Sequence, residues 1–362
     1  MKKTLLCLCL LAFTLFQTQA QSLKSPDEFL GYKLGTRFTP NYKVVDYYEY
    51  VTNQLSNAKI HQYGQTNELR PLVAAIVSSQ ENIDNWETIR TDNLKRAKLM
   101  EGEPSGKKIG IVWLSYNVHG NEANSTETAM KTLYEIARPD NSTSREWLKN
   151  TVVIFDPCIN PDGRDRYSNW INQVAGTTAN PNPEAVEHNE PWPGGRANHY
   201  LFDLNRDWAW QTQVESQQRM KFYNTVMPHI HVDFHEQGSN SPYYFAPAAE
   251  PIHDQVTQWQ RDFQEIIGKN HAKYFDENGW LFFTKESFDL LYPSYGDSYP
   301  MYNGAIGMTY EQGSSDLAIL TAEGDTLKLE DAIAHHYTTG MSTVETASKY
   351  SEKMVDEFGS FF

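Results

Sequence analysis

KIGIVWLSYNVHGNEANSTETAM, residues 108–130, decides how the chain is read. Its first third is an apolar run without helical period, the signature of a buried strand. A polar turn holding His119 and Glu122 follows. Beyond it, Ala129, Met130, Leu133, Ile136 and Ala137 recur at the spacing of one helix face across residues 123–138. A strand that runs through a polar turn into a helix is the repeating unit of an α/β sheet, and ligands collect beyond the carboxyl ends of such strands.

The same alternation continues on both sides. NYKVVDYYEYVTNQLSN, residues 41–57, has helical spacing, and RPLVAAIVSS, 70–79, reads as a short apolar strand. TVVIFDPCINPDG, 151–163, is strand then turn, with Pro and Gly as punctuation. Residues 213–228 read as a helix and HIHVDFHEQG, 229–238, as a strand. Residues 252–278 form another helix, GAIGMTYEQG, 304–313, another strand, and 325–357 a mostly helical end. Strands separated by helices of this length predict one open, largely parallel α/β sheet. No internal repeat, low-complexity tract or linker divides it.

Composition narrows the class. With 40% hydrophobic and 13% aromatic residues, the 362-residue chain can bury a large core. Its net charge of −15 repels nucleic acid and anionic membrane. Lys2 and Lys3 precede the apolar run TLLCLCLLAFTLF, and TQAQS follows, the order of a secretory signal cleaved after Ala20. The expected organisation is therefore a signal over 1–20 and a single domain over 21–362. The mature protein is expected to be exported, periplasmic or extracellular, with no membrane insertion. Cys158 is then alone in the mature chain and can form no internal disulfide; it is either a buried small hydrophobe or a free thiol.

Four polar clusters fall at the strand ends. His119 and Glu122 suit Zn²⁺, but His-x-x-Glu alone is a common accident. Along HIHVDFHEQG, strand alternation puts His229, His231, Asp233 and His235 on one face and Ile230, Val232 and Phe234 on the other. His235 sits at the exit, where it could complete a His₂Glu set with an open fourth position. His229 and His231 lie deeper and read as hydrogen-bonded structural histidines. MTYEQG delivers Glu311 to the same edge, where a carboxylate off the metal can move protons. Asp203, Asn205, Arg206 and Asp207 crowd into GGRANHYLFDLNRDW with Arg196 shortly before, and guanidinium groups suit a carboxylate or a developing oxyanion.

Taken together, these segments resemble the zinc carboxypeptidases of the funnelin (peptidase M14) family. HGNE at 119–122 resembles its His-x-x-Glu motif in the form common among regulatory-type members. NPDG at 160–163 and DLNRDW at 203–208 are similar to its Asn-Pro-Asp-Gly and Asn-Arg motifs, and YGQTNELRPLVAAIVS to its opening strand pair. The resemblance spans most of residues 40–350. It implies a mixed, largely parallel sheet between helix layers, and one Zn²⁺ held by His119, Glu122 and His235. It also implies Glu311 as general base and acid, Asn205 and Arg206 on the substrate's terminal carboxylate, and Asp203 orienting the first zinc histidine. Arg196 is the matching oxyanion arginine, with Arg164 and Arg166 as rivals, and Tyr292 the matching mobile tyrosine, with Tyr295 as alternative.

The implied activity is hydrolysis of the C-terminal amide bond of peptides with a free C-terminus. Amidase action on cell-wall peptides or N-acyl amino acids, or peptide binding without catalysis, are the competing expectations. Asn121 stands where pancreatic-type members have arginine, and the segment around 296–299 does not align with their specificity pocket. Side-chain preference is therefore left open.

Overall fold

The computed structural model describes residues 22–362; the expected signal, 1–20, lies outside the described residues. The strands are β1 (Ala58–Gln65), β2 (Pro71–Val77), β3 (Gly110–Tyr116), β4 (Thr151–Asp156), β5 (Ile230–Gln237), β6 (Tyr243–Tyr244), β7 (Ala249–Ile252), β8 (Phe282–Phe283), β9 (Asp289–Leu290), β10 (Ile306–Gly313), β11 (Ala318–Leu320) and β12 (Thr326–Lys328). The longer helices are α1 (Asn41–Gln54), α2 (Trp86–Arg96), α3 (Asn124–Ala137), α4 (Pro161–Val174), α5 (Val214–Val226), α6 (Gln258–Asn278), α7 (Leu329–Lys349) and α8 (Ser351–Phe361).

Eight strands form one sheet in the order β1-β2-β4-β3-β5-β10-β6-β8. Its centre, β4-β3-β5-β10, is parallel. Antiparallel pairs, β1 with β2, β2 with β4 and β10 with β6, and a parallel pair, β6 with β8, complete it. This is the open, mixed, largely parallel sheet flanked by helices that the alternation of elements predicts. Two small ribbons, β7-β9 and β11-β12, lie apart from it.

Each central strand feeds two cores by its period-two alternation. Val112, Leu114 and Tyr116 of β3 join Val153 and Phe155 of β4 beneath α1, α3, α6 and α7. Ile111 and Trp113 join Val152 and Ile154 on the opposite face, with α2, α5 and α8. Burying one such side chain fully contributes about 1.5–3 kcal/mol. A strand buried on both faces is an unbroken apolar run, which is why 109–114 shows no polar alternation.

The structure departs from the sequence reading at helix starts. NPDG is no free turn: Pro161 opens α4 as its first residue, and the Asn160 side chain accepts the Gly163 N–H at 3.0 Å. Proline at the first helical position loses nothing, and asparagine is a favoured cap. The helix expected from 252 begins at Gln258, where Thr257 and Gln260 form a capping box, and Ala249–Ile252 pairs as β7 instead. Among the described residues no helix is long and apolar enough to cross a membrane.

Candidate active site

The turn after β3 is shaped by Asn117. It takes a positive φ of 59°, which asparagine tolerates better than most residues. Its amide then donates to the carbonyls of His119 at 2.6 Å and Glu122 at 2.9 Å, closing the loop that carries both side chains. Asn117 Oδ1 accepts from Cys158 Sγ at 3.3 Å, and that thiol is buried beneath the loop. Burial pushes Cys158 up to about 12.

Three loops meet at backbone contact here. A Cβ on Gly120 would lie 2.2 Å from the Arg164 backbone nitrogen, and one on Gly163 2.3 Å from the Gly195 oxygen. That proximity lets Gly120 N–H, at 3.3 Å, and Asn160 Nδ2, at 3.1 Å, both donate to the Arg196 carbonyl. The Asn-Pro-Asp-Gly segment therefore fixes Arg196. Its Asp162 reaches the other way, accepting from Thr66 Oγ1 at 2.7 Å and Arg70 at 2.8 Å in the β1–β2 turn.

His119, Glu122 and His235 come together, with one ligand atom from each within 4.8 Å of the others. His119 Nδ1 lies 2.7 Å from Glu122 Oε1, and His235 Nδ1 lies 2.9 Å from Oε2 and 3.2 Å from His119 Nδ1. The outer nitrogens face carboxylates, which only accept: His119 Nε2–H donates to Asp203 Oδ1 and His235 Nε2–H to Asp233 Oδ2, each at 2.9 Å. The Nε2 protons are thereby held outside, and the two Nδ1 atoms converge on the Glu122 carboxylate. Burial pulls His235 down, but Asp233 and Glu122 outweigh it and raise it well above its ordinary range. Burial likewise raises Glu122, yet His119 and His235 hold it below the carboxylate range. The cluster thus favours positive charge at its centre. Two imidazoles and a carboxylate, each ring held by an outer carboxylate, are a donor set that fits catalytic zinc.

A cavity of about 420 Å³ opens over these residues, lined also by Arg196, Asn205, Arg206, Glu236, Tyr295, Asp297 and Glu311. Glu311 stands opposite His235 in the β10–β5 register. It is 8% exposed, and its Oε2 has no hydrogen-bond partner among the described residues. Burial pushes it up to about 8, with His235 and Arg196 pulling down and Glu122 and Asp233 adding to the rise. Asn205 is set by the Gly296 N–H, which donates to its Oδ1 at 2.8 Å. Arg206 lies over the Tyr295 ring, 4.6 Å from its centre. Asp203 links the groups: Oδ2 accepts Arg196 Nη2 at 3.2 Å, and Arg206 is 3.7 Å away. Burial raises Asp203, but His119, Arg196 and Arg206 hold it below its ordinary range.

The rival residues separate. Arg164 is fully buried, paired with Glu127 at 2.6 Å and donating to the Thr39 and Ala123 carbonyls. Arg166 donates to the Ala197 and Asn198 carbonyls. Arg196 alone of the three lines the cavity. Tyr295 lines it too, whereas Tyr292 accepts a hydrogen bond from Trp210 Nε1 at 2.9 Å, its ring 4.8 Å from that of Tyr295. Asn121 faces away, donating to Glu190 at 2.9 Å. His229 accepts the Ile111 N–H, as a structural histidine should, but neither nitrogen of His231 has a partner among the described residues. A second group, Glu68, Asp162 and His199, also converges, yet Arg70 already bridges its two carboxylates. The sequence reading assigned no role to Asn117 or Asp233. An asparagine directly after a buried strand, and an aspartate two residues before His235 on its face, were the available signals.

The zinc carboxypeptidase (peptidase M14) family model matches residues 44–274. No curated protein matches the chain. Among solved structures, a metallo-carboxypeptidase from Burkholderia cenocepacia is 16% identical with a TM-score of 0.59, covering 85% of this chain and 69% of that one. Carboxypeptidase A from Helicoverpa armigera is 14% identical with a TM-score of 0.58, covering 92% and 78%. Bovine thrombin-activatable fibrinolysis inhibitor, in complex with tick carboxypeptidase inhibitor, is 12% identical with a TM-score of 0.57, covering 90% and 99%. At these identities the neighbours establish the fold, and the family match carries the assignment: this chain belongs to the zinc carboxypeptidase family, peptidase M14, whose members are metal-dependent hydrolases.

Proposed function

We propose that the chain is an exported metallocarboxypeptidase, its catalytic domain spanning residues 21–362, that removes the C-terminal residue of peptides with a free carboxylate. The observation that carries this reading is the convergence of His119, Glu122 and His235 beside a buried Glu311 carboxylate with one oxygen unpartnered among the described residues. His119 Nδ1, Glu122 and His235 Nδ1 would hold one Zn²⁺. When bound, the ion supplies Lewis acidity and an activated water.

The remaining work falls to the chain's own groups. Glu311 Oε2 accepts the proton of the attacking water and passes it to the leaving amine nitrogen. Its elevated proton affinity suits both transfers, since a general base works best with a pKa near the working pH. Arg196, half exposed at the cavity wall, meets the negative charge that develops on the carbonyl oxygen; one well-placed donor of this kind contributes about 3–4 kcal/mol. Asn205 and Arg206 take the terminal carboxylate, Arg206 through its planar fork. Of the two tyrosines, Tyr295 is the better placed to close over the substrate, because it already lines the cavity and packs on Arg206.

Hydrolysis of matched peptides with free and amidated C-termini, beside N-acyl amino acids and muropeptides, tests the reading. Cleavage confined to free C-termini is expected. Equal cleavage of amidated peptides, or turnover of N-acyl amino acids or muropeptides alone, would overturn it.

A further inference from the structure

Two loops meet at Asn205 and Arg206: residues 205–210, which follow Asp203, and residues 292–298, which follow β9. Hydrogen bonds join them along their length. Gly296 N–H donates to Asn205 Oδ1 at 2.8 Å. Ser294 Oγ accepts from the Ala209 N–H at 2.9 Å and donates to the Arg206 carbonyl at 2.8 Å. Beyond these, Trp210 Nε1–H donates to the Tyr292 hydroxyl at 2.9 Å. Asn205, Arg206 and Tyr295 line the cavity, and Trp210 and Tyr292 stand behind them.

The outermost bond begins a row of rings that ends at Arg206. The Tyr292 ring lies 4.8 Å from that of Tyr295, and the Arg206 guanidinium lies 4.6 Å from the centre of the Tyr295 ring. A ring face attracts a guanidinium without consuming its N–H groups, so the fork stays available to a carboxylate. The place of the Tyr295 ring therefore sets where that fork is presented. Tyr292 backs that ring, and its own hydroxyl is held by Trp210. Trp210 is 61% exposed, so its burial contributes little to the fold. What it supplies is a directed N–H, the polar handle of a large side chain.

We propose that Trp210 is a positioning residue for the substrate's terminal carboxylate: its indole N–H pins Tyr292, which keeps Tyr295 against Arg206. The inference rests on the carboxypeptidase reading, in which Arg206 takes that carboxylate. Losing the N–H leaves the Gly296–Asn205 and Ser294 bonds in place, and it touches neither Glu311 nor His119, Glu122 and His235. The loss therefore falls on affinity for the carboxylate and spares the bond-breaking step.

The test is calorimetric binding of 3-phenylpropionate and of its amide to the zinc-loaded enzyme, as wild type, Trp210→Phe, Tyr292→Phe and the double variant. Trp210→Phe keeps a ring and removes the donor; Tyr292→Phe removes the acceptor of the same bond. Wild type should bind the carboxylate about tenfold or more tightly than the amide. Each single variant should weaken the carboxylate by about three- to tenfold, one hydrogen bond's typical effect, and leave the amide within about twofold. Because both remove one interaction, the double variant should bind within about twofold of the weaker single. With acetyl-alanyl-phenylalanine as substrate, Trp210→Phe should raise KM by the same factor and keep kcat within about twofold. Unchanged carboxylate binding in Trp210→Phe, an equal loss on the amide, or losses that multiply in the double variant would overturn the proposal alone. A wild type that binds carboxylate and amide equally would overturn the carboxypeptidase reading and this proposal with it.

Discussion

Asp203→Ala should weaken zinc binding by about 10–100-fold, although Asp203 is not a ligand. His119 is 3% exposed, and removing Asp203 Oδ1 takes away the partner of its Nε2–H. A buried donor left without a partner costs about 1–3 kcal/mol. The affinity range converts to about 1.4–2.7 kcal/mol, so the two independent figures agree. Asp203 Oδ2 also holds Arg196, and Oδ1 accepts the Asn205 N–H at 2.9 Å. Turnover should accordingly fall further than zinc affinity does. The assay is competition for zinc against a chromogenic chelator at fixed pH, on wild type, Asp203→Ala and Asp203→Asn. Asparagine keeps an oxygen for the imidazole N–H and should lose about tenfold or less. An alanine variant within twofold of wild type would refute the orientation argument.

Arg164→Ala should lower stability by about 3–5 kcal/mol in urea unfolding, because it strands a fully buried Glu127 carboxylate; Arg196→Ala, at a half-exposed position, should leave unfolding nearly unchanged while turnover falls about 10²–10³-fold. Gly120→Ala sets a Cβ against the Arg164 backbone, which cannot yield as a side chain would, and should give little folded protein on expression. Cys158 should resist thiol reagents at pH 8 until the protein is unfolded, since burial raises the thiol from 9.0 to about 12. Its stabilising contribution is fully present below pH 9 and is lost as pH rises toward 12, a loss that Cys158→Ala should remove from the alkaline unfolding profile.

The elements that hold the site were legible because their periods are strong. The apolar run before His119 and the helix face after it mark β3 and α3. Period-two alternation alone placed His235 with Asp233, opposite Ile230, Val232 and Phe234. What local pattern does not carry is which strands become neighbours. Glu311 meets His235 because β10 lies beside β5, a pairing across more than seventy residues of chain that no periodicity announces. The start of α4 was missed because Asn-Pro-Asp-Gly is composed like a turn, and a capped helix start uses the same residues. Among the arginines the resemblance favoured Arg196 over Arg164 and Arg166, and local pattern does not show what separates them: burial against Glu127 removes Arg164 from the cavity, and backbone carbonyls hold Arg166. Tyr292 and Tyr295 differ through a tryptophan eighty-two residues away in sequence, Trp210, whose N–H engages the first. Asn121, opaque in the sequence, serves the loop around Glu190 rather than the cavity.

The central claim is one zinc at His119, Glu122 and His235 with Glu311 moving protons beside it. Zinc content and peptide turnover measured together, on the same preparations of wild type, His235→Ala and Glu311→Gln, test it most directly. Wild type should hold one zinc per chain and turn over. His235→Ala should lose both, and Glu311→Gln should keep its zinc while turnover drops by about 10²–10⁴-fold. Full zinc in His235→Ala, or undiminished turnover in zinc-loaded Glu311→Gln, would contradict the account.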